Sequence, residues 1–357
     1  MTVATALVAA NDASPQLAAS AVASALERAG ITHAQGVLLF LTPHFTRQAA
    51  TAIHAASRAG NCLQIAGGIV AGVANESSWV FDRPAAVAMA FGAPLRLDAA
   101  DDGQGPHLAI AGASTLPPAW AALPPRFGTI YSDALSTHAT PAWSQGRPAT
   151  PPIVEVSVGG AETHIAVSTG VRMLGGDWEI DAAHDNVVLT IGGRSAADSL
   201  RRALPAEYRT GLPLPLHLLA ALPAGEGRGP RHPPRLIPIA ALNPDGSLTL
   251  GETLPAGQRY TWAIRQPVAA EADMRATIAA LCERSERPAD FGFFASCIGR
   301  GPYFYGGEDR DWLAIRDGLP GTPFIGVYGS GQVAPYGRAN HLLQNAVMLA
   351  LFHTRPD

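Results

Sequence analysis

The sequence predicts an α/β fold of mixed α+β character, arranged as two sheet-and-helix layered domains. Three observations carry that expectation. Short continuous apolar runs such as GVLLFL at residues 36–41 suit strands buried on both faces. Amphipathic stretches flanked by cap residues alternate with these runs. The middle of the chain instead shows a block of short apolar runs separated by turn residues.

Taken in order, residues 1–10 are apolar without a basic leading segment and read as a short strand, not a signal peptide. Residues 14–29 carry Leu17, Val22, Ala25 and Leu26 at helical spacing and end at Gly30, a suitable C-cap. After the buried strand 36–41, residues 45–59 read as a helix capped by Gly60. Residues 62–66 read as a second buried strand broken by Gly67 and Gly68, and 85–91 as a third. The middle strands fall at 153–158, 164–171, 178–180 and 187–191. Ser195, with Asp198 three residues on, opens a helix over 195–204. Asn243-Pro244-Asp245-Gly246 joins runs 236–242 and 247–250 as a hairpin. Residues 259–265 are a further strand and 268–282 a helix. Strand 290–297, helix 308–316, strand 323–328, a glycine turn and an apolar segment 341–352 close the chain. This closing order repeats that of residues 36–91. It fits either a duplicated strand-helix-strand unit or ordinary α/β alternation. Residues 224–234, rich in Pro and Gly, read as a linker.

Of 357 residues, 25 are basic and 29 acidic, a net charge of −4, and every basic residue is arginine. The lack of lysine excludes P-loop and kinase-type nucleotide sites and Schiff-base chemistry. Dispersed arginines at this net charge give no footprint for nucleic acid. The longest apolar runs fall short of the roughly 18 residues a membrane span needs. Cys62, Cys282 and Cys297 are odd in number and far apart, so neither a disulfide framework nor a cysteine zinc site is expected. A reduced, cytoplasmic protein is the resulting expectation. GxSxG, HExxH and GxGxxG are all absent, which leaves no visible catalytic machinery and no metal set. The acids Glu308, Asp309 and Asp311 sit at a helix start, where they complement the dipole.

Special residues are densest after the strand at 290–297, in Cys297-Ile298-Gly299-Arg300-Gly301-Pro302-Tyr303-Phe304-Tyr305-Gly306-Gly307. Strand ends are where α/β proteins place ligands. Gly299 and Gly301 let backbone N–H groups approach closely, Arg300 offers a fork for a carboxylate, and Tyr303 and Tyr305 offer walls with polar tips. The same stretch also suits a turn whose arginine pairs with a structural acid and whose tyrosines pack. A second turn, Tyr328-Gly329-Ser330-Gly331-Gln332, lies beside the first if their strands are neighbours.

At these residues the chain resembles the FIST domains. Ser296-Cys297-Ile298-Gly299-Arg300-Gly301 followed by Pro323-Phe324-Ile325-Gly326-Val327-Tyr328-Gly329-Ser330-Gly331-Gln332 resembles the C-terminal FIST domain. Gly170 to Trp178 and residues 187–197 resemble the end of the N-terminal one. The resemblance implies an N-terminal domain over 1–205 and a C-terminal one over 206–357. It also implies a stand-alone sensor of a small metabolite, an amino acid or organic acid, that acts through a separate signalling protein. Its expected ligand residues are Gly299, Arg300, Gly301, Tyr303, Tyr305, Tyr328, Gly329 and Gln332, with no catalytic residue, metal or cofactor. The family usually carries Glu where this chain has Gln332, which exchanges a charge for a neutral amide. Two alternatives stand beside this reading. One is a haem-based nitric oxide sensor using His44, His341 or His353, since some relatives bind haem. The other is an enzyme with Cys297 as nucleophile.

Overall fold

The computed structural model describes residues 2–100, 105–133, 139–209, 213–224, 235–285 and 287–355. The chain divides into two compact units, one formed by Met1–Val167 with Arg275–Asp357, the other by Ser168–Met274.

The first unit begins β1 (Val3–Ala9), α1 (Pro15–Ala29), β2 (Gly36–Leu41), α2 (Ala49–Gly60), β3 (Ile65–Ile69), β4 (Gly72–Asn75), β5 (Trp79–Phe81) and β6 (Ala85–Phe91). Ser14 caps α1 through its side chain, and Gly30 ends it at φ 67°, where the αL conformation favours glycine. The expected helix over 45–59 is instead a 3-10 turn at Pro43–Gln48 followed by α2, whose cap is Asn61 rather than Gly60. The expected strand at 62–66 lies three residues later, and Gly67 and Gly68 run inside it instead of breaking it. A Cβ on Gly67 would sit 1.7 Å from the Leu39 carbonyl oxygen, so this close approach of β2 and β3 requires glycine.

The chain continues through β7 (Arg96–Ala99), β8 (His107–Ala111), β9 (Arg126–Ile130), β10 (Ala142–Ser144), β11 (Arg147–Pro148), β12 (Ile153–Gly159) and β13 (Ala161–Ser168). The expected strand 164–171 is therefore two strands, β13 and β14 (Val171–Met173), divided by Thr169 and Gly170, the latter at φ 63°. In the second unit follow β15 (Trp178–His184), β16 (Val187–Ile191), β17 (Arg194–Ser195), α3 (Ala196–Ala203), α4 (Ala206–Arg209), β18 (Leu219–Pro223), β19 (Ile237–Leu242), β20 (Leu248–Leu250) and β21 (Arg259–Arg265). Ser195 Oγ accepts from Asp198 N at 3.2 Å, the expected cap. The Asn243 turn closes with Gly246 N donating to Asn243 O at 3.0 Å. These strands form one antiparallel sheet around Tyr260, Trp262 and Ile264. Most of the linker read at 224–234 lies outside the described residues.

After α5 (Pro267–Cys282) come β22 (Phe291–Cys297), α6 (Arg310–Gly318), β23 (Phe324–Gly329), β24 (Gly331–Tyr336), β25 (Ala339–Leu343) and β26 (Val347–Thr354). The apolar segment expected at 341–352 is thus split between β25 and β26, with Asn345 turning the chain at φ 55°.

The order of elements reflects a duplicated topology. One sheet of the first unit runs β1-β6-β2-β3, another β13-β26-β22-β23. In both, the inner pair is parallel and its flanking strand antiparallel. Gly36 pairs with Phe91 while Val37 aligns with Ile65; Phe291 pairs with Phe352 while Gly292 aligns with Phe324. The one-residue step between partners is the same in each. Counting along these registers sets Thr42 against Cys297, and Val70-Ala71-Gly72 against Gly329-Ser330-Gly331. The repeats exchange material: β4 leaves the first and adds to β23 of the second.

A third sheet, β25-β24-β9-β8-β12-β7, completes the unit. All three sheets contribute to one core, with Leu38 and Phe40 from the first, Phe293 and Val327 from the second, and Ile110 and Phe127 from the third. Val37, Leu39 and Leu41 point the other way, onto α1 and α2. Burial on both faces explains why β2 is apolar throughout.

Candidate functional site

The carboxyl ends of both parallel pairs converge. Val70 N donates to Leu41 O at 3.0 Å, and Ala71 N to Tyr328 O at 2.9 Å, which ties the end of β3 to the end of β23. Cys297, at the end of β22, aligns with Gly329, and its Sγ lies 3.7 Å from Ser330 O. Ser330 N donates to Ile130 O at 2.9 Å, which brings in the end of β9. The two glycine turns picked out in the sequence are therefore neighbours. Such strand ends are the usual place for ligands in α/β sheets.

The residues expected to bind ligand divide between the outer side of the β22–β23 sheet and the core side of β24 in the third sheet. On the outer face, Arg300 is buried with 1% exposure, and its Nε and Nη2 each donate to Asp311 at 2.9 Å. This bidentate geometry is the fork an external carboxylate would otherwise receive. Asp309 lies beside this pair. Its Oδ1 accepts from Trp312 N at 2.9 Å as the N-cap of α6, and its Oδ2 accepts from the Tyr328 hydroxyl at 2.5 Å. Burial, then the neighbouring Asp311 charge, push the Asp309 carboxyl up to about 7. Burial raises the Tyr328 hydroxyl too, and the Asp309 charge adds to the shift. Tyr305 lies next to Asp311 and Arg300, its hydroxyl raised chiefly by burial. Tyr328 packs on Phe81 at 4.4 Å between ring centroids, and a Cβ on Gly301 would touch both rings. Tyr303 differs from these: it is 71% exposed and donates its hydroxyl to Asp82.

On the core side of the third sheet sits Gln332. Alternation along β24 puts Val333 into the small cluster around Trp120, and Gln332 with Ala334 on the side of the central core. Gln332 is 0% exposed, and neither Oε1 nor Nε2 has a hydrogen-bond partner among the described residues. It pairs across the sheet with Thr129, whose hydroxyl donates to the Gly331 carbonyl at 3.3 Å. A Cβ on Gly329 would lie 2.1 Å from Thr129 Oγ1 and 2.6 Å from Ile130 O. A Cβ on Gly299 would lie 2.5 Å from Asn345 Oδ1. Both glycines are thus fixed by close packing of the turns. Cys297 is buried at 4% exposure.

Sequence reasoning read Asp309 and Asp311 only as helix-start acids. Asp309 fills that part, while Asp311 is spent on Arg300. The available signal was an arginine eleven residues before an acid in a chain with 15% charged residues. Thr129 carried no signal, since its role depends on the pairing of β9 with β24. The three histidines are dispersed. His44 bonds Thr42 Oγ1 at 3.3 Å, His341 meets the Tyr336 ring edge-on, and His353 meets His164, with its pKa lowered by burial and then by His164. Among the described residues no cluster of three His, Cys, Asp or Glu could hold a metal ion, and no helix is long and apolar enough to cross a membrane.

Comparison with known families places a FIST C domain at residues 196–335, which takes in Cys297, Arg300, Tyr328 and Gln332. FIST domains are generally regarded as small-ligand sensing domains of signal transduction. The match begins in the second compact unit and ends in the first, so it follows neither unit alone. An uncharacterized protein of Mycobacterium tuberculosis (strain ATCC 25618 / H37Rv) is 27% identical over 216 residues, covering 56% of this chain and 53% of the relative. An uncharacterized protein of Mycobacterium bovis is 26% identical over 216 residues, with the same coverage of each chain. The chain thus spans about half the length of the curated relatives it matches.

Proposed function

We propose that this protein is a cytoplasmic sensor of a small polar metabolite, an amino acid or organic acid. It would hold the metabolite at the converging strand ends of its C-terminal FIST domain, residues 206–357, and signal through a separate protein. The observation that carries this reading is the Gln332 amide, fully buried with a donor and an acceptor both unmatched among the described residues. Such a group costs about 1–3 kcal/mol unless something pairs with it. A primary amide presents one donor edge and one acceptor without net charge. It therefore suits a ligand end that offers both, such as the carboxylate and ammonium of an amino acid. Gly299, Gly301 and Gly329 hold the turns close. Arg300 and Tyr328 brace them through Asp311 and Asp309, Tyr305 is buried beside Arg300 and Asp311, and Tyr303 lies exposed.

A thermal-shift panel of the proteinogenic amino acids with hydroxy and keto acids tests this on wild type and Gln332→Leu. A ligand at a hundred times its Kd stabilises by about 2.7 kcal/mol. We expect at least one compound to raise the wild-type melting temperature and to leave Gln332→Leu unmoved. Ligand-free Gln332→Leu should melt no lower than wild type, because the substitution removes both unmatched atoms. A panel in which every hit shifts both proteins equally, or in which nothing shifts wild type, would overturn the proposal.

A further inference from the structure

A second place on the first unit combines charge, shape and an unmatched polar atom. It is a cleft of about 690 Å³ between the C-terminal end of α2 and the β10–β11 hairpin. Helical spacing puts His54 and Arg58, four apart, on one face of α2. The hairpin supplies Arg147. Its turn residues Gln145 and Gly146 have φ of 51° and 67°, the two positive values of a tight type I′ connection. Trp143, fully buried, anchors the hairpin beside Gly67, and Gly146 N donates to Ile65 O at 3.2 Å. A Cβ on Gly146 would come within 3.1 Å of Ser57 Oγ, so the turn sits directly on the helix end.

Four features of this cleft point to an anion. Neither Arg58 nor Arg147 has an acidic partner among the described residues, although the chain as a whole carries −4. No acidic side chain lines the cleft among those residues. Ser57 Oγ is buried in its wall without a hydrogen-bond partner among the described residues. The carbonyl end of α2, which would repel an anion, is closed off: Asn61 N donates to the Arg58 and Ser57 carbonyls, and Cys62 N to Ser57 O. Leu63, 71% exposed, adds an apolar strip at the same place. The volume falls in the usual range for small-molecule sites, about 300–1,000 Å³.

We propose that this cleft binds a small dianionic metabolite through its oxyanion group. The guanidinium forks of Arg58 and Arg147 hold the oxyanion, Ser57 Oγ donates to it, and the body of the ligand lies on Leu63. The cleft shares no residue with the strand-end site, and its occupancy is independent of Gln332.

Titration calorimetry of the whole protein with adenosine monophosphate, inorganic phosphate and succinate, each at low and raised salt, tests the proposal. We expect at least one of these probes to bind, more weakly as salt rises. Arg58→Gln and Arg147→Gln should each weaken it about tenfold, and the double variant should abolish it. Both arginines are exposed, so both variants should melt as wild type does. Gln332→Leu should bind the probe unchanged, which separates failure here from failure at the strand ends. Preference for adenosine monophosphate over succinate would assign a phosphate ester, and the reverse a dicarboxylate. Binding that survives the double variant, or no heat from any of the three probes, would overturn the proposal.

Discussion

Replacing Arg300 with leucine should destabilise the first unit severely. Arg300 and Asp311 are each 1% exposed and joined by two bonds of 2.9 Å, with Asp309, also 1% exposed, next to them. Without the guanidinium, Asp311 loses both of these charge-assisted bonds while the Asp309 carboxyl stays buried beside it. Breaking a buried pair from one side costs about 3–5 kcal/mol. Typical total stabilities are about 5–15 kcal/mol, so this is a large fraction of the whole. Removing both partners, as Arg300→Leu with Asp311→Leu, leaves no orphaned charge from the pair and should recover most of the loss. Urea unfolding followed by tryptophan fluorescence suits the test, because Trp312 lies in α6 and donates to Asn75 O at 2.8 Å. The deficit of the single variant should shrink as pH falls and the stranded carboxyls neutralise. The reasoning would be refuted if Arg300→Leu unfolded within about 0.5 kcal/mol of wild type, the range of ordinary surface substitutions. Normal stability together with lost ligand binding would return Arg300 to the role of a direct ligand residue.

Two further outcomes follow from the same geometry. Asp309 has its folded-state pKa raised from 3.8 to about 7, so the native state holds its proton where the unfolded chain releases it. Its contribution to stability is complete below pH 3.8 and is lost as pH rises through about 7, at no more than about 1.4 kcal/mol per pH unit. Asp309→Asn keeps the cap and should flatten that part of the stability–pH profile; an unchanged slope would contradict the assignment. The thiols should separate by burial. Cys282 is exposed and should react first with a disulfide reagent, while Cys297, buried at 4% exposure, should react only on unfolding. Fast labelling of Cys297 in the native protein would favour the enzyme alternative.

Much of the fold was legible because its signals are local. The runs at 36–41, 85–91, 187–191 and 259–265 coincide with strands, since burial on one or both faces writes itself into successive residues. Caps at Gly30 and Ser195 declared themselves through the chemistry of single residues, while the Ser14 cap was not singled out. What stayed hidden depends on distant partners. Gly67 and Gly68 look like a strand breaker until Leu39 is seen pressing on Gly67. The departure of β4 to β23 has no local signature, and neither does the pairing of β9 with β24 that faces Gln332 toward the core. The repeated order of elements suggested duplication, but only the matching registers distinguish it from ordinary alternation. The sequence marked two turns that prove to be neighbours and left the division of their residues between two faces unseen. That division turns on the parity of Tyr328, Gly329 and Gln332 along adjoining strands.

The most direct test of the central claim is native mass spectrometry of freshly purified wild type and Gln332→Leu, with an absorbance scan of each sample. The account predicts a small non-covalent adduct on wild type, absent from Gln332→Leu, with no Soret band in either. An adduct retained equally by both proteins, or a Soret band that accounts for it, would contradict the assignment of Gln332 as the residue that meets the ligand.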